Sequence, residues 1–129
     1  MSSFFKREPE SGLIIVSIEI DRKFELKMVL DTGCTNTTID SNALHLLGYN
    51  LSDTIGTVEI DTANGIIKTE VFEVSSFTSL GLTKDNFQIQ VYDFLAHGIF
   101  SDYNGLLGLD FLDGKTFCID TVRNIITIT

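Results

Sequence analysis

Apolar and polar residues alternate with a period of two along most of this 129-residue chain. In LIIVSIEI, residues 13–20, one face carries Ile14, Val16, Ile18 and Ile20. In KFELKMVLD, residues 23–31, Phe24, Leu26, Met28 and Leu30 alternate with Lys23, Glu25 and Lys27, as in a half-buried strand. The short connection Asp21-Arg22 predicts that these two strands form a hairpin, and it puts Asp31 at the strand's end, on the face opposite Phe24 and Leu30. NFQIQVYDF repeats the alternation, with Phe87, Ile89 and Val91 set against Gln88 and Gln90. KTFCID and NIITIT read as a closing hairpin, and the lone proline, Pro9, leaves the later strands free to pair.

Two stretches depart from this period. DSNALHLLGYN, residues 40–50, predicts a short helix capped by Asp40 or Ser41, with Ala43, Leu44 and Leu47 as its apolar face and Gly48 as its stop. GLLGLDFLDG, residues 105–114, predicts a strand end turning into a second short helix, with Asp110 placed to cap it. The expected class is all-β, in one domain over residues 13–129 preceded by a flexible segment, residues 1–12. No internal repeat and no low-complexity segment interrupts it.

Charge and composition narrow the function. A net charge of −9 opposes binding to nucleic acid or to an anionic membrane surface. No apolar run approaches the roughly 18 residues of a membrane span, and the N-terminus lacks the apolar core of a signal peptide, so a cytoplasmic protein is expected. In that setting Cys34 and Cys118 are expected as thiols, and two cysteines and two histidines without close spacing give no zinc pattern. His45 and His97 have no partner pattern for a catalytic triad. No metal or cofactor is expected.

The chemistry centres on MVLDTGCTNTTID, residues 28–40. Of the Asp-Thr pairs at positions 31, 53, 61 and 120, only Asp31-Thr32 is followed by glycine. A turn that caps a strand end uses the same residue types. Around this triplet lie further elements in a fixed order: Thr62-Ala63-Asn64-Gly65 between TVEID and IIKTEVFEV, then Leu106-Leu107-Gly108, then the terminal strand pair. This ordered set resembles the single-domain retropepsin-like aspartic proteases, the cellular relatives of retroviral proteases, from about Leu13 to Thr129. The resemblance implies a closed β-barrel-like acid-protease fold with one or two short helices. It implies a catalytic loop at Asp31, Thr32 and Gly33, and a substrate-covering flap at Thr62, Ala63, Asn64 and Gly65. Leu106, Leu107 and Gly108 would support the catalytic loop from below.

Peptide hydrolysis needs an activated water and a protonated leaving amide. Two carboxylates sharing one proton do both, because at close range they cannot both ionise. With one Asp-Thr-Gly and no repeat, the resemblance requires a homodimer that pairs two Asp31 side chains, acts on a peptide or protein substrate, and is braced by Thr32. Leu109 stands where viral members carry arginine, so the dimer contacts differ there. Cys34 departs from the commoner alanine or serine, and its thiol, close to carboxylates, should have a raised pKa. A non-catalytic retropepsin-like module that dimerises or binds peptides is the alternative, and an unrelated ligand-binding β-barrel is a third.

Overall fold

A computed structural model describes residues 1–63, 65–98 and 102–129, with Thr62 described by its backbone only. Among the described residues, eleven strands and two short helices follow in the order β1 (Ser2–Phe4), β2 (Lys6–Arg7), β3 (Ile14–Ile20), β4 (Phe24–Leu30), β5 (Thr38–Asp40), α1 (Ser41–Leu46), β6 (Gly56–Thr62), β7 (Gly65–Ser79), β8 (Leu82–Tyr92), β9 (Gly105–Leu107), α2 (Leu109–Leu112), β10 (Phe117–Asp120) and β11 (Ile125–Ile128). A single 3-10 turn, Leu95–His97, follows β8.

The expected hairpin of β3 and β4 forms, with Val16 opposite Met28 and Ile18 opposite Leu26. Those residues are at most 9% exposed and enter the core together. The ring then runs β3-β4-β9-β5-β8-β7 and closes where β7 pairs back to β3 at Ile18↔Ser79. Two of its joints, β4–β9 and β5–β8, are parallel. The period of two marks strands but carries no information on which neighbour each strand takes. β2 and β6 extend this sheet beyond the ring, and β1, β11 and β10 make a separate antiparallel sheet.

The first twelve residues, for which the sequence suggested flexibility, carry β1 on β11 and β2 on β3. Phe5 between them is 6% exposed, and its N–H donates to the Asn124 carbonyl at 3.0 Å, so burial of one aromatic ring ties the segment down. Asp40 is the N-cap of α1, its carboxylate accepting from the Asn42 N–H at 3.2 Å, while Ala43 and Leu44 are buried beneath.

The core is one cluster that includes Ile18, Ile20, Met28, Ile39, Leu44, Ile89 and Leu107. Phe111 anchors α2 in it, with ring centroids 5.4 Å from Phe77 and 5.9 Å from Phe87, at the angled geometries aromatic pairs prefer. Among the described residues no helix is long and apolar enough to cross a membrane.

Candidate active site

β4 ends at Leu30 and delivers Asp31 into a loop that the rest of the barrel holds from two sides. Asp31 donates its backbone N–H to the Leu107 carbonyl at 3.0 Å, which continues the parallel β4–β9 pairing by one residue. Its carbonyl accepts from the Cys34 N–H at 3.1 Å and its carboxylate accepts from the Gly33 N–H at 2.9 Å. A Cβ at Gly33 would sit 3.2 Å from that carboxylate oxygen, so glycine leaves the approach to it clear. Asp31 is half-buried, and Thr32 and Gly33 are exposed.

The underside of the loop rests on β9 and α2. A Cβ on Gly108 would fall 2.8 Å from the Cys34 carbonyl oxygen and 2.9 Å from the Thr37 nitrogen, so only glycine admits this contact. Gly105 is closed off in the same way, with the Thr38 carbonyl oxygen 2.1 Å from where its Cβ would be. Leu109 and Asp110 donate their N–H groups to Cys34 and Thr35 at 2.9 and 3.1 Å.

Asp110 is not the N-cap expected of it: Gly108 holds that position and Asp110 lies in the first turn of α2. Its carboxylate accepts from the Thr37 N–H at 2.9 Å and from the Thr37 hydroxyl at 2.7 Å, as well as from the Phe111 N–H at 2.9 Å. The Thr37 hydroxyl oxygen in turn accepts from the Gly108 N–H at 3.1 Å. Thr37 is fully buried, so this pair is a clamp between the loop and α2, protected from water. Nothing in the sequence of the loop sets Thr37 apart from Thr35 and Thr38. A readable signal was present in the acidic residue of the otherwise apolar GLLGLDFL, which needs buried donors from elsewhere.

Beside Asp31 opens a cavity of about 490 Å³, lined mostly by apolar side chains that include Leu13, Leu30, Phe94 and Leu106, with Thr38, Tyr92 and Tyr103 adding hydroxyls. A larger hollow of about 620 Å³ lies between the N-terminal segment and β3 and does not include Asp31. Cys34 is half-buried and donates its thiol to the Asn36 carbonyl at 2.9 Å. Burial, with a smaller contribution from the negative charge of Asp31, raises its pKa above the ordinary thiol value. Both cysteines are free.

Of the residues expected in a flap, Thr62 stands opposite Gly65 where β6 turns into β7, and Ala63 is exposed in the turn. Asn64 lies outside the described residues. His97 stacks on Tyr92 at 4.1 Å between centroids, and its Nδ1 bonds to the Asp93 carbonyl.

The order of these parts, an Asp-Thr-Gly loop seated on an apolar-apolar-glycine strand and helix, agrees with a sequence family described as "Aspartyl protease", whose profile matches residues 16–111. The chain belongs to the aspartyl protease family. Membership of that family makes it an aspartic endopeptidase by class. Its fold is retropepsin-like: it aligns with a retropepsin-like aspartic protease from Rickettsia conorii at a TM-score of 0.71 and 21% identity, over 99% of this chain and 89% of that one. No curated protein matches the sequence significantly.

Proposed function

We propose that this aspartyl protease works as a homodimer in which the two Asp31 carboxylates meet on a two-fold axis and hydrolyse a peptide bond between them. One carboxylate is ionised and takes a proton from water, whose oxygen attacks the scissile carbonyl carbon. The other is protonated, bonds to the carbonyl oxygen as charge develops there, and supplies the proton the departing amide nitrogen needs. Each chain has a single Asp-Thr-Gly, so each supplies half of this site.

The observation that carries this reading is the support given to Asp31. A carboxylate at a strand end is common, but here its backbone is bonded to β9, its side chain is oriented by Gly33, and its loop is clamped through Thr37 and Asp110. That pre-organisation, next to a cavity large enough for a substrate side chain, is what a reacting carboxylate requires and a turn residue does not. Thr32, exposed beside Asp31, braces the partner's loop. Thr62, Ala63, Asn64 and Gly65 form the flap that closes over substrate and excludes water. Leu106, Leu107 and Gly108 support the loop. The substrate is a peptide or unfolded segment held extended as an added strand. Two free thiols suit a cytoplasmic setting.

Replacing Asp31 with asparagine tests the assignment. The variant should retain fold and dimer mass in sedimentation while losing cleavage of a hydrophobic peptide library. Cleavage at the wild-type rate would remove Asp31 from the mechanism. A wild-type protein that binds peptides but turns none over would favour the non-catalytic module.

A further inference from the structure

The hollow of about 620 Å³ beside the N-terminal segment lies at a break in the sheet. Along one edge, β3 is covered by β4 from Ile15 to Ile20. Along the other edge two strands cover it in turn: β2 pairs with Ile14 and Ile15, and β7 pairs with Ile18, Glu19 and Ile20. Among the described residues, Val16 and Ser17 have no strand opposite them on that edge. Both line the hollow, with Lys6 from β2 on one side and Leu80 and Gly81 from the turn after β7 on the other.

The floor of this break is apolar. Phe5, Val16 and Leu80 are buried members of the core cluster. Phe4 stands at its border 82% exposed, a large ring left in water. The rim is basic. The chain has a net charge of −9, yet Lys6, Arg7 and Lys27 line the hollow against one carboxylate, Glu8. Lys27 is paired with Glu25 at 3.1 Å. Glu8 is turned into its own bend, where its carboxylate accepts from the Glu10 and Ser11 N–H groups at 3.2 and 2.5 Å. Arg7 is fixed by a bond from Nε to the Gly12 carbonyl at 2.6 Å, and neither it nor Lys6 has an ion-pair partner among the described residues. An acidic molecule repels acidic partners over most of its surface, and this rim is where it can receive one.

We propose that the break is a docking site for an acidic peptide segment carrying a large apolar side chain. That side chain enters between β2 and β7, and the carboxylates beside it meet Lys6 and Arg7. β2 ends the larger sheet, so the backbone of the segment has a strand edge to lie along. The hollow shares one lining residue, Tyr103, with the cavity beside Asp31. Where the peptidase reading holds, the site tethers a substrate by a segment other than the one that is cut; the docking itself does not rest on that reading.

Three pentapeptides test it: a central phenylalanine with glutamates on both sides, the same with alanine at the centre, and the same with lysines in place of the glutamates. Calorimetry on the full chain at low salt should find the first about tenfold tighter than the second, the scale of one buried aromatic side chain, and the third weakest. The double variant Lys6→Glu/Arg7→Glu should weaken the first at least about tenfold, as should high salt. Ser17→Trp sets a ring over the break and should erase the advantage of phenylalanine over alanine. All three positions are exposed, and each variant tests the site without the other. No binding of the first peptide at about 1 mM, equal binding of all three, or full affinity in either variant overturns the site. Hydrolysis of an uncharged peptide is scored separately. Hydrolysis without docking rejects the site alone, and docking without hydrolysis rejects the peptidase reading alone.

Discussion

Thr37 ties the loop that carries Asp31 to the helix beneath it. Its hydroxyl satisfies the Asp110 carboxylate and the Gly108 N–H at once, out of reach of water. Thr37→Val keeps the shape and removes both bonds, leaving the buried Gly108 N–H unpaired while Asp110 keeps the Thr37 and Phe111 N–H donors, so unfolding in urea should show a loss of about 2 kcal/mol. Peptidase kcat should fall more than KM changes, since the loop that carries Asp31 loosens while the apolar cavity persists. Thr37→Ser should restore most of both. A loss of stability with kcat intact would reduce the clamp to ordinary packing. The place of Asp31 at the end of β4 was legible from the alternation before it. Thr37 was not, because three threonines in four positions look alike until the fold buries one of them.

At the scale of elements, β9 and the start of α2 form the platform for the site. Three residues of β9 bridge β4 and β5, parallel to one and antiparallel to the other. Gly108 then lets the chain turn against the loop at a distance no side chain tolerates. Gly108→Ala should cost the loop its position: the backbone at Cys34 and Thr37 must move by several tenths of an ångström. Cleavage should drop at least about tenfold even where far-UV circular dichroism is unchanged, because small displacements of a reacting group are expensive. An alanine variant as active as wild type would mean that the loop yields without penalty. The sequence revealed this element as an apolar-apolar-glycine run turning into a helix, and its partners came only from the topology. A three-residue strand with two neighbours, both distant in sequence, leaves no periodic trace.

For the molecule as a whole, the β3–β4 hairpin, the pairing of β6 with β7, the closing hairpin and the all-β class were readable from alternation and turn chemistry. The length of β7 and the closure onto β3 were not, because serine and threonine dominate its second half. The main consequence of the single Asp-Thr-Gly is concentration dependence. If each site needs two chains, activity per chain should fall on dilution, and the rate should approach the square of chain concentration well below the dimer dissociation constant. A fluorogenic peptide and a dilution series suffice to measure it. Activity strictly proportional to concentration down to the lowest measurable dilution would mean that one chain is enough.

The insertion of β9 also sets an order in time. Asp31 lies in the first third of the chain, but the carbonyl that receives its N–H and the carboxylate that clamps its loop come from Leu107 and Asp110. During synthesis the hairpin of β3 and β4 can pair as soon as it emerges, while its open edge waits for about eighty further residues. Loop closure over such a span is slow, and nothing holds the catalytic loop until it happens. If Asp31 reacts as proposed, a half-made chain is chemically silent, and the late strand that seats the loop also switches on the site.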